Sequence, residues 1–451
     1  MDFFLTDDQR LIRDTVRQFM EAEMRPFIRQ WEREEKFPAA QIRQLGEMGC
    51  CGMLIPEDWG GAGADITSYV VMLEEVARVC ASTAVALSVT NSVVGMPLFQ
   101  HGTEAQKKKY LPHLARGEML GAFCLTEPQA GSDAAGIQSR AVKKGKSYRL
   151  SGTKSWVTNG GVAGLYLIFA KTSPKDGARG ITAFLVEPSF PGFRIARYED
   201  KMGIRLSKSA EISLDDCEVA VENRLGEEGQ GLKIALEALD GGRVGIAAQA
   251  VGIAQGAFEE AVRYAKQRRA FGKTISEFQA IQWMLADMQT EIEAARVLTY
   301  QAAWLRENRP QRAGAFAARA KLYASEMANR VAYKAVQVHG SAGYSRESDV
   351  ERMYRDARVI SIYEGTSEIQ RMVIARDLLA RAGFEFKREA APKKAAAGSK
   401  TADSGDAEAS RESTEAPETA VRGKSFASAK AAAQDKPFAS REAAAQGKGA
   451  K

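Results

Sequence analysis

Histidine is scarce in this sequence, with only His101, His113 and His339 among 451 residues. None of them has zinc-ligand spacing to a partner. Three histidines also leave few candidates for the histidine of a Ser-His-Asp triad. Hydrolase and metalloenzyme functions are therefore disfavoured, and we predict no metal site. The sequence also lacks a GxxxxGK[ST] loop and a GxGxxG turn between a strand and a helix. Any nucleotide cofactor must therefore be held in another way.

A CxxC pair and a strongly basic stripe are also missing. The five cysteines show no regular spacing, which fits reduced thiols better than a disulfide framework. The net charge of +6 is small for this length and both signs are interleaved, so we expect no nucleic-acid partner. The first residues carry acids where a targeting peptide would not, and no apolar run approaches a membrane span. We expect a cytoplasmic protein with no membrane partner.

The pattern of the sequence changes three times along the chain. Residues 1–117 carry apolar residues at helical spacing, 118–230 contain short β-rich runs between turns, and 231–386 return to long helical patterns. Residues 387–451 contain almost no large apolar side chain, which predicts a disordered, low-complexity tail. The predicted fold class is α+β, mostly α: a helical domain, a middle β-barrel or sandwich domain, and a four-helix bundle.

One stretch of the third domain shows the bundle pattern in detail. Its apolar residues alternate spacings of three and four, as in helices packed nearly antiparallel. They are Phe278, Ile281, Leu285, Met288, Ile292, Ala295, Thr299 and Ala302. Segments near 231–270 and 312–338 can supply the neighbouring helices. The tail holds an imperfect repeat at 425–434 and 437–446, which we interpret as solvated rather than as a partner-binding motif.

The stretch "SIYEGTSEIQR", residues 361–371, places an acid at the start of a predicted helix. Ser367 and Gln370 are spaced as a capping box, so the helix should begin near Thr366 or Ser367. Its free N–H groups and positive dipole end suit a phosphate. That end should also favour ionised Glu364, a base ready at neutral pH. Taken alone, however, an acid at a helix start is more often a dipole partner than a catalyst.

Two segments of the predicted β-domain offer groups for a flat heterocycle. "AFCLTEPQAGSD" (122–133) and "SGTKSWVTNGG" (151–161) carry hydroxyls at Thr126, Ser132 and Thr158 and an indole at Trp156. An aromatic plane beside hydrogen-bonding groups is what such a ligand needs. The alternative is that Trp156 belongs to the core and the other residues form turns.

Together these stretches resemble the acyl-CoA dehydrogenase family, from about residue 3 to residue 382. The motifs that carry the resemblance occur in the family's order. They are "LTEPQAGSD", "KSWVTNG", "ALDGGRVGIAAQAVGIAQGAFEEAVRYAKQRRAFGK", "QVHGSAGY" and "RDARVISIYEGTSEIQRMVIAR". The short-chain and short branched-chain members are the most similar in general appearance.

The resemblance implies FAD as cofactor and Glu364 as the base that removes the α-proton of an acyl-CoA, while the β-hydride passes to flavin N5. The positions implied to bind FAD are Phe123, Cys124, Leu125, Thr126, Ser132, Trp156, Val157, Thr158, Arg268, Phe271, Gln279, Gln337, Val338, His339, Gly340, Ser341, Thr366, Ser367 and Glu368. Those implied to contact the acyl-CoA are Ser132, Asp240, Gly241, Gly242, Arg243, Tyr363 and Gly365. An electron-transferring flavoprotein as electron acceptor and a homotetramer are implied as well.

Three departures from the family pattern qualify the resemblance. Some members carry the base at the position of Gly242, which strengthens Glu364 here. Members acting on glutaryl-CoA carry an arginine where this sequence has Ala84, so a dicarboxylic substrate is disfavoured. Ser341 replaces a usual glycine in the FAD-contacting loop. The competing hypotheses are an oxidase of the same fold, a DNA-associated flavin protein and a catalytically silent scaffold.

Overall fold

The computed structural model describes residues 5–384, and the predicted tail and its repeat lie outside them. Seven α-helices come first. They are α1 (Asp7–Phe19), α2 (Ile28–Glu34), α3 (Ala39–Glu47), α4 (Ile66–Val79), α5 (Ala81–Ser88), α6 (Met96–His101) and α7 (Glu104–Ala115). Side-chain caps fix the start of several of these helices: Thr6 and Thr103 form capping boxes, and Asp65 accepts the N–H of Ser68. The segment before the β-region is therefore helical, as predicted.

The helical run Ala81–His101 is long and apolar enough to cross a membrane by length and composition, with a mean hydropathy of 1.3. The expectation that no stretch approaches that length was therefore wrong. The reason is burial: 89% of the apolar window lies inside the protein. A core helix needs apolar residues on all sides, so it passes the same test as a membrane span. This run packs against α4, the long helix Gly231–Gln267 and the strand Gly121–Cys124.

Eight strands form one sheet in the order β6-β7-β3-β2-β4-β5-β8, with β1 parallel to β4. Their bounds are β1 (Gly121–Cys124), β2 (Arg140–Lys144), β3 (Ser147–Thr158), β4 (Leu165–Lys171), β5 (Ile181–Val186), β6 (Phe193–Tyr198), β7 (Ser209–Ala220) and β8 (Arg224–Leu225). Strand β4 is buried on both faces. Leu165 and Leu167 join the helical core, whereas Tyr166 and Ile168 join the sheet's own core. This two-sided burial explains the uninterrupted apolar run of β4.

The remaining elements are helical apart from a small hairpin. They are α8 (Gly231–Gln267), β9 (Arg269–Ala270), β10 (Lys273–Thr274), α9 (Gln279–Asn308), α10 (Pro310–His339), α11 (Asp349–Ile360) and α12 (Ser367–Arg381). Helices α8, α9 and α10 pack on one another, α4 packs on α8, and α11 and α12 pack on α10. The predicted knob residues from Met288 to Ala302 are fully buried, whereas Phe278, Ile281 and Leu285 are only partly buried. The predicted helix–sheet–helix fold class is confirmed.

Candidate active site

Glu364 lies in the short turn between α11 and α12, in left-handed backbone geometry. Its φ is 51°, and that of Gly365 is 91°. A non-glycine residue rarely adopts this conformation, which costs about 1 kcal/mol. Helix α12 then begins at Ser367, with Thr366 as N-cap accepting the N–H of Ile369 at 3.3 Å. The predicted start of the helix is therefore correct. The predicted Ser367–Gln370 capping box is wrong, because the Gln370 side chain donates to the Gly365 carbonyl instead of contacting Ser367.

The carboxylate of Glu364 rests on helix α8 at Gly242. A Cβ added at position 242 would overlap Oε2 and lie 2.7 Å from Cδ. Oε2 is enclosed and forms no hydrogen bond within residues 5–384. The absence of a side chain at Gly242 therefore creates the space that the carboxylate occupies. The structure brings these two predicted site residues together although they lie far apart in the sequence.

The electrostatic environment of Glu364 differs from the one predicted. Burial raises the pKa of this carboxyl from 4.5 to about 7, and the positive charges of Lys321 and Arg243 offset only part of that rise. We expected the positive helix end to favour the ionised form. Desolvation prevails instead, because the carboxylate is enclosed against Gly242 of α8. The result is still a group that can accept a proton near neutral pH.

Lys321 of α10 and Gln370 of α12 hold the backbone of this turn. Lys321 Nζ donates to the Gly365 carbonyl at 2.7 Å, and Gln370 Nε2 donates to the same oxygen at 2.9 Å. The Lys321 side chain is fully buried, and burial lowers its pKa to about 8. Sequence reasoning did not single out Lys321, although a signal exists. It occupies a core position in the stripe Ala317, Lys321, Ala324, Ala328, Val331 of an amphipathic helix.

The predicted substrate-contacting residues of α8 lie beside this turn. Arg243 is buried, its guanidinium pairs with Asp240, and its Nε is buried without a partner among the described residues. Tyr363 donates its hydroxyl to Oε1 of Gln249, which in turn donates to the Ala81 carbonyl at 2.7 Å. The turn that carries Glu364 is thus fixed to both α8 and α5.

In the sheet, a β-bulge turns Trp156 outward. The register of β3 against β7 shifts between Lys154 and Val157, and Trp156 takes a φ of 59°. Such a bulge redirects a side chain. Trp156 is consequently 61% exposed while Lys154 is fully buried. The alternative that Trp156 belongs to the core is wrong.

A buried ion pair joins the two predicted flavin segments. Lys154 Nζ lies 2.7 Å from Oε1 of Glu127 and 3.2 Å from the Leu125 carbonyl. Glu127 also accepts the N–H groups of Gln138 and Ser139. Burial opposes its ionisation, but the Lys154 charge and these donors prevail and lower its pKa to about 2. The pair fixes the backbone of Thr126 next to the strand that presents Trp156.

These groups suit the edge of a planar ligand. The hydroxyls of Thr126, Ser132 and Thr158 form no hydrogen bond to any residue between 5 and 384. Thr158 shares β3 with the exposed Trp156, and the Thr126 carbonyl accepts the N–H of Ser155 next to it. Unpaired donors beside an aromatic plane fit a heterocycle such as isoalloxazine. The side chain of Cys124 does not take part, because it is buried in the sheet's core.

The remaining predicted cofactor positions lie at the far ends of α8 and α10. The rings of Tyr264 and His339 stack at 4.3 Å, which places Arg268 and Gly340 near each other. Phe271 is 95% exposed at the tip of the β9–β10 hairpin. Gln279, Gln337 and Ser341 are exposed as well, and Val338 and His339 are buried. This surface cannot enclose a ligand within one chain. Within the described part of the chain there is no cluster of potential metal ligands.

Comparison with protein families places most of the described chain in one family. The models of the acyl-CoA dehydrogenase N-terminal, middle and C-terminal domains match residues 6–118, 122–217 and 229–379. Together they cover most of the sequence. The match includes the bulge of β3, the α8 glycines and the Glu364 turn.

Individual proteins agree with the family models. A short-chain specific acyl-CoA dehydrogenase of Clostridium acetobutylicum is 47% identical over 83% of this chain and 99% of its own length. The structure of butyryl-CoA dehydrogenase from Megasphaera elsdenii is 45% identical, with a TM-score of 0.82 over 84% of this chain and all of that chain. A chain in the structure described as the electron transferring flavoprotein of Acidaminococcus fermentans is 47% identical, with a TM-score of 0.83 over 84% of this chain and all of its own.

Proposed function

Since the chain belongs to the acyl-CoA dehydrogenase family, we propose that it oxidises a short or branched short-chain acyl-CoA to the trans-2-enoyl-CoA with FAD as cofactor. The observation that carries this proposal is the position of Glu364. Its carboxylate is enclosed against Gly242, has a pKa of about 7 and lacks a hydrogen-bond partner on Oε2 among the described residues. Such a group is available to take a proton from carbon.

Glu364 would remove the α-proton of the acyl group. That proton is weakly acidic, so the site must stabilise negative charge on the thioester oxygen. The backbone N–H of Glu364 forms no hydrogen bond to any described residue and can donate to that oxygen. The Lys321 and Arg243 charges add a favourable potential. FAD, when bound, would accept the β-hydride.

The residues present fit FAD. Trp156 offers its plane, and Thr126 and Thr158 offer free hydroxyls, for the flavin ring. The N–H groups at the start of α12 suit the pyrophosphate. Only the backbone of Glu368 can serve there, because its exposed carboxylate would repel a phosphate.

The surface of α8 supports a short acyl group. Gly245 follows Gly242 on the same helix face, about 4.5 Å further along the axis. A Cβ at Gly245 would lie 2.7 Å from both the Tyr69 hydroxyl and Ser88 Oγ, so the helix packs directly on these groups. A chain running along α8 from Glu364 is therefore stopped after one turn. Ala84 is buried on α5, which packs on α8, and it offers no cation for a distal carboxylate.

A second copy of the chain would complete the cofactor site. Arg268, Phe271 and Gln279 are too exposed to enclose a ligand within one chain, and a homotetramer would bury them. We also propose an electron-transferring flavoprotein as the electron acceptor. This rests on the family and on the description of the Acidaminococcus fermentans structure.

The decisive experiment is an anaerobic titration of the purified protein with acyl-CoAs. Butyryl-, isobutyryl- and 2-methylbutyryl-CoA should bleach the flavin band, whereas octanoyl- and glutaryl-CoA should not. Glu364→Gln should keep its flavin and show no bleaching. A protein that binds no FAD, or a Glu364→Gln variant with near-normal turnover, would contradict the proposal. Oxygen consumption without an added acceptor would indicate an oxidase instead.

A further inference from the structure

The turn that carries Glu364 depends on a charged residue outside the sequence motifs. Lys321 lies in the middle of α10, and its side chain is fully buried. Its one hydrogen bond within residues 5–384 goes to the Gly365 carbonyl, at 2.7 Å. A lysine is rarely buried without an anionic partner, and no carboxylate of the described chain lies within ion-pair distance of this one. An ordinary salt bridge therefore does not explain why the Lys321 ammonium group is buried here.

The carbonyl that Lys321 binds belongs to the second of two left-handed residues. Glu364 and Gly365 have φ values of 51° and 91°. Gln370 donates to both carbonyls of this pair, at 3.3 Å to Glu364 and 2.9 Å to Gly365. Conformations of this kind persist when the surroundings fix them. Lys321 is one of the two side chains that do so here.

Lys321 also acts on the Glu364 carboxylate through its positive charge. Of the two positive charges that oppose the rise in the pKa of Glu364, that of Lys321 is the larger and Arg243 follows. In turn, Glu364 is the anion that most favours protonated Lys321. Each group therefore favours the charged form of the other, without an ion pair between them.

We propose that Lys321 is a positioning residue for the reaction: it fixes the left-handed turn of Glu364 and keeps the buried carboxylate ionised so that it can accept the α-proton. This inference rests on the proposed function. The other groups facing Glu364 are Arg243 of α8, Tyr69 of α4 and the adjacent Tyr363. Neither tyrosine can supply positive charge. Lys321 itself also faces Glu326 and Glu368, which favour its charged form.

Three substitutions test the donor and the charge of Lys321. Lys321→Met removes the donor and the charge, Lys321→Gln keeps a donor without the charge, and Lys321→Arg keeps both. Lys334→Met is the matched control on the same helix, because Lys334 pairs at the surface with Asp287 and Glu291. The measurement is the pH profile of kcat/KM for butyryl-CoA on flavin-loaded enzyme. Flavin absorbance and melting temperature verify loading and folding of each variant.

The Met and Gln variants should shift the acidic limb of the profile to higher pH by about one unit or more. At pH values below the limb, kcat/KM should therefore fall about tenfold. The Arg and Lys334→Met variants should keep the limb of the parent enzyme. An unchanged limb in a folded Met or Gln variant would overturn the proposal. If the Met variant fails to fold, the Gln and Arg variants still decide.

A second readout does not depend on turnover. The infrared carboxyl stretch that disappears in Glu364→Gln reports the ionisation of Glu364 directly. Its titration midpoint should rise in Lys321→Gln and stay in place in Lys321→Arg. A parent enzyme without activity would refute the proposed function, whereas an unchanged midpoint in Lys321→Gln would refute only the role of Lys321.

Discussion

The Glu364 carboxylate occupies the volume that a side chain at Gly242 would fill: a Cβ there would overlap Oε2 and lie 2.7 Å from Cδ. Only one of positions 242 and 364 can therefore place side-chain atoms in this volume. The geometry gives a physical reason for an acid at 364 together with glycine at 242. Helix α8 thus helps to position the Glu364 carboxylate.

Gly242→Ala should consequently displace the carboxylate while α8 itself remains stable, since alanine favours a helix. A shift of about 1 Å in a catalytic group can cost about 100-fold in rate. We expect a loss of that order in the rate of flavin reduction by butyryl-CoA, measured by stopped flow. FAD content should not change. Leu236→Ala, at an exposed position of the same helix, is the control. A Gly242→Ala variant that reduces its flavin at the parent rate would contradict this packing.

The sequence predicted the order of helices and sheet because apolar periodicity and turn residues are local signals. It also placed Glu364 at a helix start, since the hydroxyl and glycine pattern is local too. The pKa of Glu364 was not predictable in this way. It depends on α8 and α10 meeting the turn from distant parts of the chain, and burial then outweighs the helix end. The helical stripe of α10 indicates that Lys321 is buried, but only the packing shows that its ammonium group meets the Gly365 carbonyl.

Burial of Glu364 should make the protein less stable at alkaline pH. The pKa of this carboxyl is raised from 4.5 to about 7 on folding. The protonated form is thus preferred in the fold, so its contribution to stability is present below pH 4.5 and is lost as the pH rises through 7. Glu364→Gln should therefore unfold with a free energy higher by up to about 3 kcal/mol at pH 8. No difference should remain at pH 4. Urea titration of the flavin-free proteins at both pH values checks this, and equal stability at pH 8 would contradict the burial.

The hairpin tip at Phe271 should affect cofactor retention through assembly. Its ring is 95% exposed, with φ of 52°, and meets Phe278 edge-on at 6.1 Å. If a second chain covers this ring, Phe271→Ser should lower the assembly state and increase FAD loss on dilution. Light scattering after gel filtration, with flavin absorbance recorded in parallel, measures both. Val142→Ser, which changes another exposed apolar residue on strand β2, should alter neither. A tetramer with full flavin content in Phe271→Ser would refute this role.

The ion pair of Lys154 and Glu127 should control flavin binding from beneath the sheet surface. Both side chains are buried, and Nζ lies 2.7 Å from Oε1. Removing one partner of a buried pair leaves an uncompensated charge and typically costs about 3–5 kcal/mol. Lys154→Met should therefore lower the free energy of unfolding by that order. It should also release FAD, because the backbone that presents Thr126 and Trp156 loses its anchor. Lys144→Met, at the exposed end of β2, should change neither property.

The double variant Lys154→Met/Glu127→Leu separates charge from anchoring. An apolar pair avoids the buried unpaired charge, so much of the stability should return. Flavin affinity should not return, since the N–H groups of Gln138 and Ser139 lose their shared acceptor and the loop is no longer fixed. Calorimetric FAD titration of the flavin-free proteins measures the affinity, and thermal unfolding measures the stability. Recovery of both properties together would show that the pair serves stability alone and does not position the flavin segments.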